Sequence, residues 1–276
     1  MPKLKLPSPG ALYVGIICAL LYLPIALLIV FSFNDAASLT FPFKGFTLQW
    51  YQQLGQSSEL LASLRNSLVI AFGSSVLATI LGTMGAIAIV RFNLPGRGIF
   101  LAVSTMPLVI PYVILGVALL ILLNQAGIPL SAPAAGFAHV IISIPYAILI
   151  ISSRLVGFPD NLEEAAMDLG ASYWEALLKV TIPIVSPALL ASFLLCFTIS
   201  FDEYSIASFL VGTDTTLPVY MFSQLRFPTR LPMIIAMAAI IMTVTMLAML
   251  ISEWLRRAGQ HTSPTGGGIA SRKAKA

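Results

Sequence analysis

Two adjacent carboxylates, Asp202 and Glu203, stand inside a long apolar run and are the clearest candidates for chemistry. A carboxylate near the bilayer centre costs about 2.5–3.5 kcal/mol on insertion scales, so such groups normally face a cavity or a partner. At helical spacing Thr198, Asp202 and Ser205 share one face, while Ser192, Cys196 and Glu203 share the adjacent one. A polar stripe of that width suits a water-filled lumen. Phe201, Tyr204 and Tyr112 would add aromatic faces that attract an organic cation. The competing reading has the acidic pair hydrogen-bonding to neighbouring helices or sitting at the external interface. His139 also lies in an apolar run, where a packed or hydrogen-bonded histidine is expected ahead of a proton relay. His139 and His261 are the only two histidines, and no metal-ligand spacing occurs. Cys18 and Cys196 lie in apolar runs as small packed residues, not as a disulfide or metal pair. No Gly-x-x-x-x-Gly-Lys-[Ser/Thr] phosphate loop is present, so the chain is not expected to bind ATP in that manner. No group of catalytic side chains gathers anywhere, and transport is expected in place of an enzyme's chemistry.

A bilayer must position these residues. The chain has 276 residues, 58% hydrophobic and only 9% charged, with a mean hydropathy of +0.94. Soluble domains carry about 25% charged residues, so a water-exposed surface cannot be built from this stock. Six stretches are apolar enough to span, near 11–33, 66–90, 99–123, 134–153, 187–210 and 233–254. The first has no small-residue cleavage site behind it and is expected to be a retained helix. Pro24, Pro107, Pro111 and Pro145 fall inside these runs, as bundle-interior prolines do. Ala78, Gly82 and Ala86 recur every four residues, a spacing that lets two helices of the bundle approach closely. If the fifth span starts near Pro187, the acidic pair lies roughly 22 Å along it, in the outer half of the bilayer.

Basic residues set the direction. Lys3, Lys5, Arg91, Arg97, Arg154, Lys179, Arg256, Arg257 and the tail fall on one side, against Lys44, Arg226, Arg230 and a borderline Arg65 on the other. The Lys/Arg excess marks the cytoplasm, so both termini are expected inside. The net charge of +4 is spread between spans and does not point to nucleic acid. The expected organisation is a cytoplasmic N-terminus (1–10), a six-span domain (11–257) and a basic, Gly-rich tail (258–276) that is too polar to pack. Trp50 and Tyr51, in the loop after the first span, suit a membrane interface.

The loop near 155–185 is the most structured of the connections. Asp160 with Glu163, and Ser172 with Glu175, read as two capping boxes, and Gly170 reads as a helix stop. Two short helices joined at Ala171 are expected, the second ending before Pro183. Glu164-Ala165-Ala166, Gly170 four residues on, and Val180-Thr181-Ile182-Pro183 together resemble the EAA signature of binding-protein-dependent ABC importer permeases. Two aliphatic-for-aliphatic changes separate this chain from that signature. The resemblance implies a type I importer transmembrane domain, all-α with six spans and a cytoplasmic coupling helix, in a bacterial inner membrane. It implies that Glu164 makes polar contact with a separate ATPase. Ala165 and Ala166 would allow close docking, Gly170 would set the angle between the short helices, and Pro183 would close the motif. Two ATPase subunits carrying ATP and Mg, a second permease and an external solute-binding protein are the implied partners, with no cofactor in this chain.

The resemblance covers nearly the whole chain and is strongest to the spermidine/putrescine type. Phe46–Tyr51, Asn66-Ser67-Leu68, Ala138-His139-Val140, Glu163–Ala171, Ser200–Glu203 and Leu217-Pro218 carry it. That type usually has a carboxylate where this chain has Tyr112 and another where it has Met233. A polyamine-like cation is the expected solute, moved inward by alternating access, with Asp202, Glu203, Tyr112 and Tyr204 along its path. The same importer class acting on an opine, a phosphonate or a metal complex is the alternative. An ion-coupled secondary carrier would have no use for the EAA loop.

Overall fold

The computed structural model describes residues 9–36, 42–92, 95–157 and 161–260, apart from the side chains of Ala11 and residues 248–260. Asp160, Lys3, Lys5, His261 and the tail from 261 onward lie outside the described residues, and so do the expectations placed on them. The helices run, in chain order, α1 Pro9–Phe31, α2 Gln49–Gln56, α3 Ser58–Arg91 and α4 Arg97–Thr105. They continue with α5 Tyr112–Gln125, α6 Ala132–Val156, α7 Asn161–Asp168 and α8 Tyr173–Ala176. The last four are α9 Ile182–Phe201, α10 Ala207–Leu210, α11 Leu217–Gln224 and α12 Leu231–Gln260. Among the described residues no strand forms; a single antiparallel bridge joins Asn34 and Phe46. Among the described residues five helical segments are long and apolar enough to span a bilayer, or six if α4 and α5 count as one bent span.

The chain divides into two units, residues 1–56 with 227–276, and residues 57–226. In the first, the turn after α1 is tied to α2. The Trp50 indole donates to the Asn34 carbonyl at 2.9 Å, and the Tyr51 and Ser32 hydroxyls lie 2.6 Å apart. Both rings thus present an apolar body and anchor their polar tip. α12 reaches Gln260, three residues past the expected end of the spanning domain at 257.

The second unit is built on α3, α6 and α9. Ser57 caps α3, its hydroxyl accepting the Leu60 N–H at 3.4 Å, and Arg91 occupies the last turn. Ser131 caps α6 in the same way, with Pro133 in the first turn where its missing N–H costs nothing. Lipid supplies no hydrophobic force between spanning helices, so close packing must hold them together. Ala78, Gly82 and Ala86 are all buried on α3, and they meet Ala147 and Ile151 of α6. A Cβ on Gly82 would collide with the Ala147 methyl and lie 3.2 Å from its carbonyl carbon. Only hydrogen fits there.

Three expected elements differ. The third stretch is not a straight span, because α4 and α5 are bent by 102°. A 3-10 turn at Met106–Leu108 ends α4, and Pro111, with no N–H to continue a helix, caps α5. The fifth span begins at Ile182 and ends at Phe201, with Asp202 as its C-cap. Ser205 and Glu203 therefore do not belong to helical faces, and the register argument that placed them fails. The second short helix does not stop before Pro183. It passes through a π-helical turn at Leu177–Thr181 straight into α9, the Ile182 N–H bonding the Leu177 carbonyl five residues back. The wider turn accommodates the proline that an unbroken α-helix would have rejected.

Replacing Gly82 with Ala should force α3 and α6 apart and cost about 1–3 kcal/mol, the range for overpacking a filled core. Thermal unfolding of purified protein in detergent checks this: the midpoint should fall in Gly82→Ala and recover in part when Ala147→Gly is added.

Candidate functional site

The EAA segment folds into a corner. α7 closes with the Gly170 N–H on the Met167 carbonyl at 2.9 Å and the Ala171 N–H on the Ala166 carbonyl at 3.1 Å, a Schellman pattern. Gly170 has φ +92°, which is costly for residues with a Cβ. Ser172 and Glu175 then form a capping box that starts α8, and Glu175 also holds Lys179 at 2.9 Å. Glu164 and Ala165 are exposed, Ala166 is half-buried, and Gly170 and Pro183 are exposed. Leu169 beside them is 91% exposed and Trp174 68%.

Glu163, one residue before the signature, faces the other way. It is buried, with a carboxylate oxygen 3.3 Å from the Arg91 guanidinium at the C-terminus of α3. The same oxygen accepts a hydrogen bond from the fully buried hydroxyl of Thr181 in the π turn. The Tyr173 ring of α8 packs edge-on against Phe92, next to Arg91, with centroids 5.9 Å apart. α3, α7, α8 and the entry to α9 thus converge on one buried ion pair. Sequence reading assigned Glu163 only to a helix cap. The signal available was Arg91 at the end of a spanning run, but nothing local tied it to a residue 72 positions away.

The acidic pair separates. Asp202 is exposed at the end of α9. Glu203 is 5% exposed, and its two oxygens accept the N–H groups of Ile206 (2.8 Å) and Ala207 (2.9 Å), which would otherwise be unpaired where the chain restarts as α10. His139 Nε2 of α6 lies 3.5 Å from the Glu203 carboxylate. Its Nδ1 lies 2.7 Å from the Ser200 hydroxyl, which bonds Ser74 of α3 at 2.9 Å. One polar chain therefore crosses α3, α9 and α6 and ends on the broken segment. His139 is the packed, hydrogen-bonded histidine expected. Tyr112 is half-buried against the same cluster as Ile206. Tyr204 stacks on Phe222 with ring centroids 4.2 Å apart. Where α9 ends, Asp202 stays exposed and Glu203 turns inward.

A polar cavity of about 480 Å³ opens at the N-terminal end of α3, lined by Glu59, Asn66, Asp214, Tyr220 and Gln224 among others. Its walls are tied by long-range bonds. Asn66 donates to the Thr215 carbonyl at 3.2 Å, and Ser67 accepts the Leu217 N–H at 2.8 Å. Sequence reading noted both segments without joining them. Among the described residues no cluster of His, Cys, Asp and Glu could hold a metal ion.

Residues 78–258 match the family of binding-protein-dependent transport system inner membrane components. The spermidine/putrescine transport system permease protein PotC of Shigella flexneri is 32% identical over 254 residues, spanning 92% of this chain and 95% of its own. PotC of Haemophilus influenzae is 34% identical, over 90% of this chain and 96% of its own. The putrescine transport system permease protein PotI of Escherichia coli K12 is 37% identical, over 80% of this chain and 81% of its own. In fold, the chain is similar to a bacterial ABC transporter that imports the acidic polysaccharide alginate, with TM-score 0.68 and 20% identity, covering 89% of this chain and 94% of that one. It is also similar to an amino acid ABC transporter, with TM-score 0.56 and 21% identity, covering 77% of this chain and all of that one.

Replacing Glu203 with Ala would remove the carboxylate facing His139 and leave two backbone N–H groups buried without their acceptor, a loss of about 3 kcal/mol. Denaturation in detergent should show a clearly lowered midpoint for Glu203→Ala and a smaller fall for Glu203→Gln, which keeps an acceptor oxygen. Asp202→Ala should leave the midpoint near wild type.

Proposed function

The chain belongs to the family of binding-protein-dependent transport system inner membrane components, and from that premise we propose that it passes a polyamine-like organic cation inward. It is an all-α transmembrane permease subunit of an ATP-driven importer, with the type I fold. Substrate class, path and partners are the steps beyond that.

One observation carries the coupling assignment: the EAA corner is rigid on one side and bare on the other. The buried Glu163 pair and the Schellman turn fix it to the bundle, while Glu164, Ala165 and Leu169 stand exposed. A large exposed apolar side chain beside a carboxylate fits a protein partner. That partner is an ATPase subunit, one for each of two permease chains, and ATP with its Mg ion resides there. The second permease is a different chain, as the polyamine resemblance favours, and an external binding protein delivers the solute. The Lys/Arg excess supports a cytoplasmic position for α7 and both termini. The polar cavity lies at the far end of α3, a helix about 51 Å long at 1.5 Å per residue, and so on the external side.

The cation reading is supported by the relatives named for spermidine and putrescine and by Asp202, which stays exposed with Tyr204 two residues on in the chain. A carboxylate next to aromatic faces attracts an ammonium by charge and by cation–π contact. Glu203 contributes by holding the broken segment, not by meeting solute. Tyr112 and Met233 stand where polyamine permeases usually carry carboxylates. They favour a solute with fewer positive charges, putrescine over spermidine.

Cells expressing the chain with its transport partners should take up radiolabelled putrescine in an ATP-dependent manner. Asp202→Asn should lower that uptake by about tenfold, the worth of one lost charge contact. Uptake unaffected by Asp202→Asn, or absent for both polyamines from an assembled complex, rejects the cation path. Glu164→Lys should abolish uptake while membrane insertion, read by protease mapping, stays intact. Full uptake in that variant rejects the coupling assignment.

A further inference from the structure

Force applied to an exposed helix does work on the bundle only where that helix is attached. Glu163 is the one buried residue of α7, and its neighbours Leu162 and Glu164 are exposed. The Glu163 carboxylate and the Arg91 guanidinium keep 9% and 10% side-chain exposure, and Thr181 has none. These three groups sit on three separate elements: the end of α3, the coupling helix, and the π turn feeding α9. An ion pair shielded from water is far less screened than a surface pair and is costly to break from one side. The π turn is itself a place where helix register can shift by a residue without loss of the chain's continuity.

We propose that Arg91, Glu163 and Thr181 form the latch through which movement of the coupling helix reaches α3 and α9 together. This rests on the coupling reading above and adds to it a division of labour between adjacent glutamates. Glu164 meets the ATPase; Glu163 carries the motion inward. α3 then acts as the lever, since the same helix lines the polar cavity at its other end and holds Ser74 of the His139–Glu203 chain in its middle. Arg91, Glu163 and Thr181 are positioning residues, not solute contacts. Were they only a fold determinant, their loss would lower the amount of assembled complex and leave the solute moved per ATP unchanged.

The test uses the full complex in proteoliposomes, with ATP hydrolysis and putrescine uptake measured in the same sample. Glu163→Gln, Arg91→Gln and Thr181→Val should assemble with the ATPase and hydrolyse ATP, while solute moved per ATP falls severalfold. The exchange Arg91→Glu with Glu163→Arg should recover much of that ratio. A wild-type ratio in the single variants overturns the latch. So does a loss of accumulation that the exchange repairs while the ratio stays low, or one that the exchange does not repair. Failure of the underlying reading looks different: wild-type protein would then neither hold the ATPase nor import solute with ATP.

Discussion

The seam between α3 and α6 bears the rest of the second unit. Nothing in lipid pushes two apolar helices together, so the gain must come from atoms in contact, and contact requires small residues where the backbones cross. Gly82 against Ala147 brings the two helices to a distance that no larger pair would allow. Ala78 and Ala86 extend the approach by a turn on either side, and Val185 and Cys196 of α9 complete the same cluster. Once α3 is held this way, its two ends become fixed points. One receives the EAA corner, and the other forms a wall of the polar cavity.

Backbone chemistry explains the departures from straight spans. A membrane interior offers no water to an unpaired N–H or carbonyl, so a helix can break there only where protein groups take over. At Glu203 a side-chain carboxylate does this for two N–H groups, and His139 lies close to the resulting charge. At Pro111 no N–H exists to be lost, and the chain turns through 102°. At Pro183 a π turn absorbs the missing donor, and the helix continues. Three prolines or breaks thus reach three outcomes, each decided by which acceptor or donor lies within reach.

Much was legible without coordinates because it depends on neighbours in sequence. Apolar runs of spanning length, the Ser172–Glu175 box and Gly170 as a helix stop are local facts, and each is present in the fold. The alternation of small residues on α3 told which face would be crowded. The EAA spacing pointed to the family because its fixed residues lie within one short segment.

Contacts made at long range were not legible. Glu163 and Glu164 are the same residue type in adjacent positions. Only the placement of Arg91 and Thr181 makes one a buried anchor and leaves the other bare. Asp202 and Glu203 differ for a like reason: the end of α9 at Phe201 sends one outward and the other toward His139. Asn66 and Ser67 meet Thr215 and Leu217 across 149 and 150 residues. The length of the apolar runs and the scarcity of charge determined that this chain spans a membrane and which segments do so. The direction in which each charged side chain points was decided by the partner that could satisfy it in a medium without water, and that partner comes from elsewhere in the chain.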